Sequence, residues 1–202
     1  MLRNFRKEGK TAKMKIENVN IYNQFPAFLA CRYPMMDILD NELTSENIEK
    51  GMERMGKLAS VPTGTGHDNA LSGILITFDV TGTVKWWCQG ERYHFFQIVS
   101  SQSTMHRLEA MLKYQTAFFN PKTDKRAIDL VYQLYREGKS FEEIVYSCPM
   151  GLELTAHIAT NMLQLKTIYF QRRNHKLEEW QIFCDFIESL KPYSDWFIKK
   201  GE

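Results

Sequence analysis

Residues 74–89 read ILITFDVTGTVKWWCQ, and the fold class turns on whether this stretch is extended. ILITFDV (74–80) is dense in β-branched and aromatic side chains and sets Thr77 and Asp79 between apolar neighbours, the pattern of a half-buried strand. Thr81-Gly82 follows as a two-residue turn signal, and TVKWWCQ (83–89) resumes the β-rich composition, so the stretch predicts a β-hairpin. Upstream, MKIENVNIY predicts a short strand, and Thr44 to Ala59 opens with Thr-Ser cap chemistry and carries Ile48, Met52 and Met55 at helical spacing. Downstream, RLEAMLKYQTAFF, KRAIDLVYQLYREG and SFEEIVYSC predict successive helices closed by Gly138 and Pro149, the last opened by a Ser140…Glu143 capping box. LELTAHIATNMLQLKTIYFQRR is the longest periodic run and predicts one long helix; a further helix through EEWQIFCDFIESL ends at Pro192. The expected architecture is α+β, a central antiparallel hairpin or sheet packed by several long helices, in one domain over 1–202.

Composition narrows the classes. A chain of 202 residues, 44% hydrophobic and 25% charged, has material for one sizeable core and contains no run of roughly 18 apolar residues that would suit a membrane helix. The amino end, MLRNFRKEGKTAKMK, is basic without an apolar h-region, which predicts neither a secretory signal nor a lipid anchor. Cys31, Cys88, Cys148 and Cys184 form no CxxC pair and suit free thiols in a reducing cytoplasm. A net charge of +2 gives no electrostatic footprint for nucleic acid.

One segment concentrates polar chemistry. RYHFFQIVSSQSTMH (92–106) packs two histidines, hydroxyls, amides and an arginine among aromatics. Within it, IVSSQS (98–103) reads plainly as a polar loop capping a helix that begins near Met105. Other motifs are weak: GTG at 64–66 lacks the spacing of a phosphate loop, His94 and His106 lack an acidic or thiol partner at metal-ligand spacing, and there is no GxSxG elbow. No metal site is expected. Trp86, Trp87, Tyr93, Phe95 and Phe96 suit core or subunit contacts better than a stacking wall, the two tryptophans facing opposite sides of a strand.

Two separated segments together resemble the flavin-dependent thymidylate synthases over roughly half the chain. In that family a Gly-His-acid-Thr/Ser-Pro-hydrophobe-Glu-His run leads into a strand pair. A Gln then precedes an Arg-His-Arg triplet, with a Ser seven residues on and an Arg two positions later. Here Gly66-His67-Asp68-Asn69-Ala70-Leu71-Ser72-Gly73 stands in the first run, Gln89 and Arg92 keep the Gln-to-Arg spacing, and Ser103 follows. CPMGLELTAHIATNMLQLKTIYFQRRNHKLEEWQ is similar to the carboxy-terminal segment through Pro149, Asn161, Arg172 and Trp180. Counting forward from His67 sets Arg92-Tyr93-His94 on the triplet, whereas counting back from Ser103 sets Tyr93-His94-Phe95 there. At most one of the two triplet arginines survives, and Met105, Leu163 and Thr155 stand where further arginines are usual. Fewer guanidinium forks predict weaker phosphate clamping or altered ligands.

The resemblance implies FAD as cofactor, NADPH and methylenetetrahydrofolate as co-substrates, and reductive methylation of dUMP at C5 in a homotetramer whose flavin sites are shared between subunits. It implies catalytic roles for Arg172 and Ser103, nucleotide binding by Gln89, Arg92, Gln102, Ser103 and Arg172, and cofactor binding by His67, His94 and Asn161. Hydroxymethylation of a pyrimidine nucleotide, and a non-catalytic nucleotide-binding homologue without flavin, are the two alternatives that the depleted arginines leave open.

Overall fold

The computed structural model describes residues 14–38 and 42–198. The amino-terminal segment read above for targeting signals lies outside the described residues except for Met14 and Lys15.

The architecture is α+β. Strands β1 (Lys15–Tyr22), β2 (Leu75–Thr83), β3 (Gln97–Ser101) and β4 (Glu153–Asn161) form one sheet in the order β1-β2-β4-β3. β2 and β4 run antiparallel: Asp79 meets His157, and Thr81 meets Thr155, one position rising as the other falls. On β2 the even positions Ile76, Phe78 and Val80 are wholly buried, and on β4 Ala156 and Ile158 match them, so the odd positions carry the half-exposed polar face. The described helices are α1 (Gln24–Ala30), α2 (Ser45–Ala59), α3 (Val84–Gly90), α4 (Thr104–Lys113), α5 (Lys125–Arg136), α6 (Phe141–Tyr146), α7 (Met162–Arg172) and α8 (Glu178–Ser189). Short 3-10 segments occupy Tyr33–Met35, His67–Gly73 and Tyr193–Trp196.

Contacts gather the described residues into two compact units, one of 18–77 with 159–198, the other of 14–17 with Phe78–Ile158. β1, β2 and β4 each continue from one unit into the other. In the first unit α2 packs on α1, and its buried stripe is Asn47, Gly51, Met55 and Ala59. That stripe is rotated by about one residue from the expected Ile48, Met52 and Met55 face. The cause is close approach: a Cβ on Gly51 would lie 2.3 Å from the Phe28 carbonyl oxygen, so only glycine admits α1 here. In the second unit Leu108, Leu112, Val131, Ile144 and Leu152 form a core under α4, α5 and α6.

Several local expectations hold for stated reasons. Thr44 caps α2 by accepting the Asn47 N–H at 3.2 Å. Ser140 and Glu143 form both halves of the capping box, at 3.3 and 2.9 Å. Cys31, Cys88, Cys148 and Cys184 are free thiols. Among the described residues no helix is long and apolar enough to cross a membrane.

Three expectations are overturned. Residues 74–89 are not a hairpin: β2 runs straight through Thr81-Gly82, and TVKWWCQ forms α3. The Thr83 hydroxyl accepts the Trp86 N–H at 3.2 Å, which starts a helix where β-propensity alone predicts a strand. Gly82 is not among the positive-φ glycines that a primed turn needs; its Cα face lies against the Trp86 ring. Trp86 and Trp87 therefore do not face opposite sides of a strand: both are buried, their rings edge to face at 4.9 Å. The long helix predicted from Leu152 is β4 followed by α7. Asn161 divides the run, its side chain accepting the Gln164 N–H at 2.9 Å and so opening α7. Upstream of it the alternation Thr155, Ala156, His157, Ile158 has period two. Finally, IVSSQS (98–103) is not all loop, because Gln97–Ser101 is the edge strand β3.

Candidate functional site

Each unit carries its own group of the expected residues. In the second unit Gln89 lies in the last turn of α3, and Arg92 and His94 are exposed in the turn that follows. His94 meets Phe95 edge to face at 4.6 Å, and Phe95 itself is more than half exposed. Gln102 is bound twice to Thr155: its backbone N–H donates to the Thr155 carbonyl, and its side-chain oxygen accepts the Thr155 N–H, both at 2.9 Å. The amide thus extends the β3–β4 pairing by one rung and fixes the joint between β3 and α4. Ser103 occupies that joint as the N-cap residue of α4, yet its side chain makes no cap bond. Next to it the polar face continues through the Thr81–Thr155 hydroxyl pair at 2.8 Å and the His157 Nδ1–Asp79 pair at 2.6 Å. Neither His157 nor Asp79 was singled out from sequence, because their meeting requires 152–161 to be a strand.

In the first unit His67 is exposed at the start of the 3-10 segment His67–Gly73, entered through Gly66 at φ 82. The glycines of GTG thus serve a turn: Gly64 and Gly66 both have positive φ. Beside His67, Asp68 is 3% exposed and receives the Lys166 ammonium at 2.6 Å. Lys166, only 1% exposed, also donates to the Ala59 carbonyl at 3.0 Å and the Val61 carbonyl at 2.6 Å. All three ammonium protons have acceptors, which is the condition for burying that charge. α7 is thereby tied both to the end of α2 and to the His67 segment. A lone cation inside the apolar run MLQLKTIYF is the signal by which Lys166 stands out in sequence.

Asn161 and Arg172 stand at opposite ends of α7, separated by roughly 16 Å of helix rise, so they serve different parts of any ligand. The Arg172 guanidinium sits over the Trp180 ring at 4.8 Å and fulfils the role of a cation in the last helical turn as well. Its neighbour His175 accepts the Leu177 N–H on Nδ1 at 3.0 Å. Burial, and next the Arg172 charge, hold His175 below its ordinary value. Arg173 turns the other way, to Asp185 at 2.5 Å and Glu188 at 3.3 Å. Among the described residues no cluster of His, Cys, Asp and Glu suits a metal ion.

Buried neutral groups make the fold sensitive to alkali. Burial, then the hydrogen bond to Glu188, push Tyr169 up to about 12, and burial pushes Cys184 up to about 12 and Cys148 to about 11. A raised value means that the folded state holds the proton more tightly than the unfolded chain. The stabilisation is therefore complete below the ordinary thiol value of 9.0 and is lost as pH rises towards about 12. The melting temperature is expected to fall steeply between those limits, and Cys184→Ala is expected to flatten the fall. An identical slope in wild type and variant would contradict this assignment.

Two solved structures share this architecture. The chain superposes on thymidylate synthase X (ThyX) from Helicobacter pylori, solved with FAD and dUMP, with TM-score 0.73 and 13% sequence identity, covering 92% of this chain and 97% of that one. A second structure, flavin-dependent thymidylate synthase ThyX from Helicobacter pylori complexed with FAD and dUMP, gives TM-score 0.67 at 15% identity over 85% of this chain and 91% of that one. No family model matches the sequence, and no curated protein matches it. The fold is ThyX-like along nearly its whole length, on a sequence 13–15% identical to those structures.

Proposed function

We propose that this chain is a flavin-dependent enzyme of the thymidylate synthase type, a single ThyX-like domain that binds FAD and methylates dUMP at C5. The observation that carries the reading is the near full-length fold likeness to two structures described with FAD and dUMP. NADPH and methylenetetrahydrofolate are the proposed co-substrates, a homotetramer the proposed assembly, and a reducing cytoplasm the proposed compartment, which suits four free thiols.

The residues present fit such ligands in kind. Arg92, in the turn before β3, and Arg107, in the first turn of α4, are exposed cations, and the Ser103 side chain at the β3–α4 joint makes no cap bond. A phosphate is served by such cations together with helix N–H groups. When bound, reduced flavin supplies a hydride, and the hard chemistry is the cofactor's own. The chain's part is to bind and orient. Gln89, Arg92, Gln102 and Ser103 hold the nucleotide, with Ser103 donating from its hydroxyl. Arg172 stabilises negative charge developing on a pyrimidine carbonyl. His67, His94 and Asn161 face the cofactor. Asn161 spends its side-chain oxygen on capping α7, so its amide hydrogens are the part available to a ligand.

Product analysis tests the reaction. Protein supplied with FAD, NADPH and methylenetetrahydrofolate is expected to convert dUMP to thymidylate by mass spectrometry. A hydroxymethyl product, or turnover of dCMP alone, would reassign the acceptor chemistry. No product from either nucleotide, with flavin bound, would reject catalysis of this class.

A further inference from the structure

We infer that the cavity between residues 60–63 and the far side of α7 is a binding site for an uncharged, flat heteroaromatic molecule, distinct from the residues assigned above. It encloses about 560 Å³, within the range of small-molecule sites, and is bounded by the Ser60–Thr63 strip and by Tyr169, Phe170, Phe197 and Ile198. All of these lie in one compact unit.

The aromatic side is ordered. Tyr169, Phe170 and Phe197 contact one another edge to face at 5.4, 6.5 and 6.3 Å, with Phe197 6% exposed and Phe170 55% exposed at the rim. Mutual edge-to-face packing fixes the rings, so a planar guest meets preset faces and edges. The opposite strip is held as firmly. The Lys166 ammonium grips the carbonyls of Ala59 and Val61 on either side of Ser60, Pro62 restricts the backbone, and the Ser60 hydroxyl donates to the Lys57 carbonyl. A preformed cavity spares the guest the cost of ordering it.

Charge decides the ligand class. Among the described residues the one ionisable side chain in the lining, Tyr169, donates its hydroxyl to Glu188 at 3.0 Å, and Glu188 is in turn met by Arg173. The Lys166 charge is spent on Asp68 and two carbonyls. Among the described residues no side chain in the lining is left to neutralise an ion, so a charged guest loses its hydration there without compensation, whereas a neutral ring loses little. Thr63, an exposed residue of the lining, gives such a ring one polar handle in its hydroxyl.

The test does not depend on the flavin reading. The fluorescent neutral base 2-aminopurine is titrated into the full chain with dUMP in excess, so that any nucleotide site is filled. Saturable quenching at one site per chain is expected, with a dissociation constant on the order of 0.1–1 mM, the range open to a ten-atom ring. Phe170→Ala removes the rim ring, and Thr63→Trp puts a bulky side chain into the lining. Both alter exposed side chains, and each is expected to weaken binding at least tenfold while leaving the melting temperature in place. Neutral quinoline is expected to displace the probe, and naphthalene-1-sulfonate is not. Non-saturable quenching, wild-type affinity in both variants, or displacement by the sulfonate equal to that by quinoline would overturn the proposal.

Discussion

Lys166→Met is expected to destabilise the fold by about 3–5 kcal/mol, the usual consequence of stranding one member of a buried ion pair. Asp68, 3% exposed, would keep its carboxylate with its ammonium partner gone, and the carbonyls of Ala59 and Val61 would lose the same donor. Methionine matches the length of the lysine stem, so packing is preserved and the loss is polar. Against a total stability of roughly 5–15 kcal/mol the effect is large enough to unfold a marginal domain near body temperature. Asp68→Asn keeps a neutral acceptor and is expected to cost less than Lys166→Met. In the double variant Lys166→Met with Asp68→Leu, part of the loss is expected to return, because no unpaired charge remains. Urea unfolding of wild type, Lys166→Met, Asp68→Leu and the double variant measures the coupling. Additive losses would show that the pair is not a unit.

Arg172→Ala is expected to weaken dUMP binding about 100-fold, which corresponds to roughly 3 kcal/mol for a charge-assisted contact. The fold should survive, since the contact with Trp180 and the favourable charge in the last turn of α7 are each worth roughly 1 kcal/mol or less at a part-exposed position. His175 provides an internal control. The Arg172 charge helps hold it below its ordinary value, so the variant should move its titration upward in a proton NMR series whether or not nucleotide binds. A calorimetric titration with unchanged dUMP affinity, alongside that upward movement, would reject the role assigned to Arg172 while showing that the electrostatics of the site are understood.

Local chemistry was legible in the sequence wherever it acts within a few residues. The Thr44 cap, the Ser140–Glu143 box and the helices α2, α5, α6 and α8 follow from spacing and capping alone. The two misread stretches share one cause. In both 74–89 and 152–173 a strand passes directly into a helix, with the boundary set by the side chain of one polar residue, Thr83 or Asn161. A composition reading averages across such a boundary; the cap marks it. The order β1-β2-β4-β3 was beyond reach, since β2 pairs with a strand more than seventy residues distant rather than with the segment that follows it.

The candidate site divides similarly. Its residue types came from the resemblance to a family, and the full-length fold likeness now supports that resemblance. Sequence spacing could not show that Asp68, next to His67, meets a lysine 98 positions away, or that Gln102 would be built into the sheet through Thr155. Such pairs depend on topology, which short-range patterns do not encode.

The central claim is most directly tested by the absorbance spectrum of the purified protein with and without added FAD, followed by titration with dUMP. A protein-bound flavin band whose position or intensity changes on adding dUMP is the predicted result, and it would place the two ligands in communication. A colourless protein whose spectrum with FAD is that of free flavin, unchanged by dUMP, would contradict the account and mean that a ThyX-like fold here serves another chemistry.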